Sequence, residues 1–205
     1  MLEELPFQPG DLVDGRYRID KAIGEGGFST VYRAEQESVG RPVALKVMKT
    51  RVGARREGGE SLDDLIDRFR REARIIARLK SEATVTLHEF GRTGTDDFFM
   101  VLEYVDGVAL TAETGRPFEP GRVVNLLEQA LASLAEAHDH GIVHRDIKPA
   151  NLMVYRDRGG HERLKILDFG IAKLLESIDE QTLREITGEA HMLGTPRYVA
   201  PENAT

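Results

Sequence analysis

Apolar and polar positions alternate through three early stretches, Tyr17 to Ile23, Thr30 to Gln36 and Pro42 to Lys49, each bounded by Gly, Pro or charged residues. This pattern predicts a small antiparallel sheet. Arg51 to Glu60, rich in Arg, Gly and Glu, interrupts it as a solvated loop. The period then lengthens. Behind Ser61, a helix-capping residue, Leu62, Leu65, Ile66, Phe69, Ala73, Ile76 and Leu79 recur at three- and four-residue spacing and predict one amphipathic helix. Alternation returns in Val85 to Phe90 and Phe98 to Val105, two further strands, until Gly115 to Gly121, with Pro117 and Pro120, breaks it. Val123, Leu127, Ala130, Leu131, Leu134 and Ala137 then line one face of a second helix, expected to end near Gly141, where a missing β-carbon suits a left-handed terminus. Sheet first and helix second is the order of a two-lobe α+β chain.

The composition, 40% hydrophobic and 31% charged over 205 residues, is that of a folded chain able to bury one large core or two modest lobes. A net charge of -7 provides no basic footprint for nucleic acid or anionic lipid, so neither is expected as a partner. The absence of cysteine excludes disulfides and thiolate metal sites and agrees with a reducing compartment, which makes a cytoplasmic location the expectation. Met1 to Gly10 carries two glutamates, two prolines and no basic residue, unlike an export signal. The longest apolar run, Phe98 to Leu102, is followed by Glu103 and is far short of the roughly 20 residues a membrane helix needs.

Chemistry enters at His144-Arg145-Asp146-Ile147-Lys148-Pro149-Ala150-Asn151, followed further on by Asp168-Phe169-Gly170. A magnesium-bound nucleotide needs hard oxygen ligands, and an accepting hydroxyl needs a carboxylate to orient it and take its proton; these two segments supply both. His144 reads as an anchor for the loop and not as the base. Gly24-Glu25-Gly26-Gly27-Phe28-Ser29-Thr30-Val31 is either a phosphate-covering loop or an ordinary hairpin turn. Thr30, Val31 and Tyr32 continue as strand, so a dinucleotide-binding turn, which would open a helix, is disfavoured. In Val43-Ala44-Leu45-Lys46-Val47-Met48, Lys46 shares a strand face with Ala44 and Met48 and calls for an anionic partner. Glu72 lies on the apolar stripe of the first helix, three residues after Phe69 and four before Ile76. The two charges relieve each other's desolvation if they meet; otherwise each is a rim charge reaching solvent.

With Gly194-Thr195-Pro196-Arg197-Tyr198 leading into Ala200-Pro201-Glu202, these blocks make the chain resemble the protein kinase family, specifically the bacterial serine/threonine kinases similar to eukaryotic ones. The resemblance implies a protein-kinase-like two-lobe fold: an extension over 1–12, an N-lobe over 13–104 with an antiparallel sheet and one helix, and a mainly helical C-lobe over 105–205, truncated after the activation segment. It implies ATP and Mg2+ as cofactors, with Asp146 as catalytic base, Lys148 steadying the γ-phosphate, Lys46 paired to Glu72 and touching the other phosphates, and Asn151 and Asp168 holding the metal. Gly24 and Gly26 would cover the phosphates. Ile23, Val31, Ala44 and Met153 would enclose adenine, with Leu102 as gatekeeper and the backbone of Glu103 and Val105 as the hydrogen-bonding edge.

Lys148 and Thr195, the latter in the substrate-positioning loop, favour serine or threonine on protein substrates as acceptor. By its spacing before Gly194, Thr187 resembles an activating phosphothreonine, received by Arg145 and Lys173, and self-association would serve autophosphorylation. Ser29 departs from the glycine usual at its place. The family pattern continues beyond Thr205, so the second helix is expected to show apolar surface, and a membrane anchor further along would make this the cytosolic part of a receptor kinase. The competing expectation is a noncatalytic nucleotide-binding or scaffolding module of the same fold.

Overall fold

The alternating stretches become strands because β-branched and aromatic residues at every second position can bury one pleated face. The computed structural model describes residues 6–26, 29–48, 73–94, 97–113, 115, 117–169 and 198. Strands β1 (Leu12–Val13), β2 (Tyr17–Glu25), β3 (Ser29–Gln36), β4 (Arg41–Met48), β5 (Leu87–Arg92) and β6 (Phe98–Glu103) form one antiparallel sheet in the order β1-β2-β3-β4-β6-β5. Its core face carries Val13, Tyr17, Ile19, Tyr32, Ala34, Val43, Leu45, Val47, Phe99 and Val101, all buried. Tyr17 and Phe99 meet edge to face at 6.1 Å. A phenol that deep needs a partner, and the Tyr17 hydroxyl donates to Glu89 Oε2 at 2.8 Å, which Arg16 Nη1 also reaches at 2.9 Å. Burial, reinforced by Glu89, pushes the Tyr17 phenol up to about 12.

The chain divides into two compact units, residues 1–61 with 86–104 and residues 62–85 with 105–205. In the second, β7 (Val108–Ala109), β8 (Leu152–Arg156) and β9 (Glu162–Ile166) form a three-stranded antiparallel sheet, and the helix α1 spans Pro120–Asp139. Residues 73–76 are helical, the described end of the first predicted helix; the portion from Ser61 through Glu72 lies outside the described residues. The segment that follows joins the second unit through a parallel bridge, Thr84 to Ile166. Val85 N donates to Ile166 O at 3.1 Å and Ile166 N to Ala83 O at 2.7 Å.

Two features differ from what the sequence pattern predicts. The β8–β9 hairpin is absent from that pattern, although Asp157-Arg158-Gly159-Gly160 is a turn signal: Asp157 Oδ1 accepts from Gly159 N and His161 N, and Gly160 sits at φ 79. On α1 the predicted Ala130 and Ala137 are buried together with Leu126 and Ser133, which the pattern does not place there, whereas Val123, Leu127 and Leu131 of the predicted face are 37%, 54% and 62% exposed, the apolar surface expected of this helix. Small residues let β9 and the 81–85 turn approach the helix closely. Polar bonds fix that choice: Thr84 Oγ1 and Ser133 Oγ share a buried hydrogen bond of 2.7 Å, and Leu164 N donates to Gln129 Oε1 at 2.9 Å.

Gly107, just before β7, has no room for a side chain. A β-carbon there would lie 2.5 Å from the backbone oxygen of Val154, across the pairing of Val108 with Val154. Gly107→Ala should therefore destabilise the protein by about 1–3 kcal/mol, read as a lower urea midpoint; an unchanged midpoint would contradict this packing.

Candidate functional site

The loop carrying the chemistry begins where α1 is forced to stop. Gly141, at φ 74, allows its N–H to reach His138 O at 2.9 Å and the next N–H, of Ile142, to reach Ala137 O at 2.8 Å. This pair of bonds closes the helix in a Schellman motif. Residues 142–148 follow as a loop, Lys148 is extended before Pro149, and Pro149–Asn151 make one 3-10 turn into β8.

This short path brings Asp146, Lys148 and Asn151 together. Lys148 Nζ lies 2.8 Å from Asp146 Oδ2, and Asn151 Nδ2 donates to the same oxygen at 3.1 Å and to Asp146 O at 2.8 Å. Asn151 is buried, at 7% exposure, so its amide is a fixed part of the loop. With the amide nitrogen committed to Asp146, the remaining polar atom of the Asn151 side chain is Oδ1, a hard oxygen ligand by type.

Asp168 is tied to the same loop through its predecessor. Leu167 N donates to Asn151 O at 2.8 Å, and Leu167 O accepts from His144 Nε2 at 2.8 Å. His144 Nδ1 in turn accepts from Asp146 N at 3.3 Å, so the imidazole is the neutral tautomer with its proton on Nε2. Its ring packs on Phe169, centroids 4.8 Å apart. Burial pushes the His144 imidazole below its ordinary range, outweighing the upward pull of Leu167 O, Asp168 and Asp146. His144 is thus the anchor expected from the sequence. Arg145 and Asp168 both adopt left-handed backbone, at φ 63 and φ 56, which costs non-glycine residues about 1–3 kcal/mol each and is held by the surrounding bonds.

In the first unit, Lys46 pairs across strands with Val31 and Met100 and is 4% exposed. Ala44 stands opposite Leu102, so Val31, Ala44, Lys46, Met100 and Leu102 share the sheet face turned away from the apolar core. Ile23, at a β2 irregularity, is 45% exposed. Glu103 N donates to Thr86 O at 2.8 Å. Gly26 N closes the glycine turn on Ser29 O at 2.8 Å. Neither Gly24 nor Gly26 is demanded by its own surroundings: their φ values are not positive, and an added β-carbon would meet its nearest neighbours at 3.7 and 3.6 Å, ordinary contact. Bare backbone there suits a group approaching from outside.

In the second unit, Met153 lies on β8 opposite Ala109 and Lys165, and Val105 O accepts from Gly107 N at 3.0 Å. Glu72, Lys173, Thr187 and Thr195 lie outside the described residues, as do Gly27 and Phe28 of the glycine turn. Leu167 has no counterpart in the sequence motifs, since its role is entirely in its peptide groups.

His144 generates a pH prediction. Folded, it binds fewer protons than the unfolded chain, so stability rises with pH from its lowered folded value up to the ordinary value of 6.5 and is lost as pH falls through that interval. His144→Phe should abolish that slope in urea midpoints and cost about 1–3 kcal/mol for two backbone groups left without a partner. A slope that survives the substitution would contradict the assignment.

Known proteins share this arrangement of sequence and fold. The protein kinase domain family matches residues 17–204. The chain is 40% identical over 198 residues to the serine/threonine-protein kinase pkn2 of Myxococcus xanthus, covering 96% of this chain and 22% of that protein. It is 38% identical to PknL of Mycobacterium tuberculosis over 93% of this chain and 44% of that protein. It is 36% identical to PrkC of Bacillus subtilis over 95% of this chain and 28% of that protein. The chain therefore spans less than half the length of these relatives. Among solved structures, the Mycobacterium tuberculosis PknI kinase domain aligns with TM-score 0.64 at 25% identity, covering 80% of this chain and 63% of that one. The apo form of PpkA-294 aligns with TM-score 0.69 at 23% identity, covering 97% and 71%, and supports the fold alone. With the Asp146 loop and the Asp168 segment tied together as described, and with bacterial serine/threonine kinases among its relatives, the chain belongs to the protein kinase domain family.

Proposed function

We propose that this chain transfers the γ-phosphoryl group of ATP, with Mg2+, to serine or threonine hydroxyls of protein substrates. The observation that carries the reading is the joining of Asp146, Lys148 and Asn151 to Leu167, the residue before Asp168, which supports a carboxylate base working alongside two hard oxygen ligands. Asn151 and Asp168 fit magnesium, which is commonly held through one or two protein oxygens and completed by water and phosphate. When bound, the metal would neutralise charge on the phosphate oxygens and fix their direction.

The remaining roles fall to the chain's own groups. Asp146 orients the acceptor hydroxyl and takes its proton as the hydroxyl oxygen bonds to the γ-phosphorus and the bond to the departing diphosphate breaks. Lys148, held on Asp146, serves the γ-phosphate. Lys46 is assigned to the other phosphates, with Glu72 as its proposed partner, and the backbone at Gly24 and Gly26 to covering them. Ile23, Val31, Ala44 and Met153 are assigned to binding adenine, and the backbone of Glu103 and Val105 to its hydrogen-bonding edge. Thr195 positions the protein substrate. Phosphorylation of Thr187, by self-association, adds negative charge that Arg145 and Lys173 receive. Because the transition state is loose, positioning and charge neutralisation account for most of the catalysis. Among the described residues no helix is long and apolar enough to cross a membrane; a cytoplasmic setting for the activity is part of this proposal.

Asp168→Asn should reduce transfer of radiolabelled γ-phosphate to protein by at least about a hundredfold, since a neutral amide is a poorer metal ligand. Near-normal turnover in that variant would remove Asp168 from the mechanism. A wild-type protein that binds Mg-ATP tightly yet never transfers phosphate would identify a noncatalytic nucleotide-binding module instead.

A further inference from the structure

Glu136 lies on α1, and its carboxylate is bound by two backbone amides. Oε1 accepts from Lys80 N and Oε2 from Ser81 N, both at 2.8 Å. These two amides hold the carboxyl below its usual range. Both acceptor oxygens of one side chain thus fix two successive peptide groups at the start of the turn over residues 81–85. The turn is pinned again one helical turn earlier along α1, where Ser133 Oγ meets Thr84 Oγ1 at 2.7 Å, and a third time by Lys165 Nζ donating to Thr84 O at 3.2 Å. Within the turn, Thr84 N donates to Ser81 O at 2.9 Å. An ordinary surface connector would show water-exposed backbone; this one has its backbone bound on two sides, and Ala83, Thr84 and Val85 are buried.

What the turn holds is the approach to Asp168. Ala83 O accepts from Ile166 N, and Val85 N donates to Ile166 O. Ile166 is 0% exposed, and Asp168 follows two residues later in a left-handed conformation that its own preference would not select.

We propose that Glu136 is a positioning residue for Asp168, acting through the 81–85 turn and Ile166, with Ser133 as its auxiliary. Its consequence for metal-nucleotide binding rests on the phosphoryl-transfer reading above; the backbone coupling itself does not. Glu136 never touches nucleotide or metal in this scheme. It determines whether the Asp168 carboxylate is presented in one orientation or several.

The test compares wild type with Glu136→Ala, which removes both acceptors, and Glu136→Gln, which keeps one oxygen and is the variant to rely on if the alanine protein does not fold. Amide hydrogen exchange is read at Lys80, Ser81, Ile166 and Leu167, alongside Mg2+ titration of ADP binding. In Glu136→Gln, exchange at Ile166 and Leu167 should accelerate together with that at Lys80 or Ser81 by about tenfold, the scale of one charge-assisted hydrogen bond. The Mg2+-dependent part of ADP affinity should fall several-fold while Mg2+-free binding stays unchanged, a split that general loosening would not produce. Faster exchange at Lys80 and Ser81 with Ile166 and Leu167 unaltered overturns the proposal, as does an unchanged Mg2+ dependence in a protein whose wild type binds Mg-ADP. Coupled exchange in a wild type without Mg2+-dependent nucleotide binding would keep the positioning role and overturn the phosphoryl-transfer reading instead.

Discussion

Two consecutive residues, Ile166 and Leu167, have both their peptide groups committed to other parts of the second unit: Ile166 to the 83–85 turn, Leu167 to Asn151 and His144. Side chains would be a poor means of fixing what comes next, since a rotamer can change while a backbone bonded on both sides cannot turn without losing its partners. Asp168 emerges from this clamp already in a left-handed conformation. Its direction is therefore set by backbone bonds, most of them to residues to which the proposed chemistry assigns no contact with substrate.

The same logic extends to Asp146. Its carboxylate is held by Lys148 and Asn151, its amide by His144, and Asn151 returns the connection to Leu167. His144 is the hub because a neutral imidazole can donate on one nitrogen and accept on the other, which neither a protonated histidine nor an aliphatic residue can do. Its burial and its charge state are thus one requirement. The strained backbone at Arg145 and Asp168 is the local cost of the arrangement.

Much of this is legible in the sequence because the groups proposed to react stand out by type and order: Asp146, Lys148, Asn151 and Asp168 are residues of the kind such chemistry demands. The strands of the first sheet are legible too, since their faces alternate along a single stretch of chain, as in Val43, Leu45 and Val47 against Ala44, Lys46 and Met48. What escapes depends on partners distant in sequence. Periodicity puts Ala130 and Ala137 on the inner face of α1 but misses Ser133, which is inside because Thr84 bonds to it. Nothing in the sequence pattern singles out Glu136, whose two amide donors lie more than fifty residues away. Leu167 carries no signal at all in its side chain, and the β8–β9 hairpin is overshadowed by stronger motifs on either side, although its Gly-Gly turn is in plain view.

The most direct test of the claim that this clamp presents a metal-nucleotide site is paramagnetic broadening by Mn2+ with an unreactive ATP analogue, read in the amide resonances of the protein. The strongest broadening is expected at Asn151, Leu167 and Asp168, dependent on the nucleotide and reversed by excess Mg2+. Sharp, unshifted resonances at those three positions at saturating Mn2+ and nucleotide would contradict it.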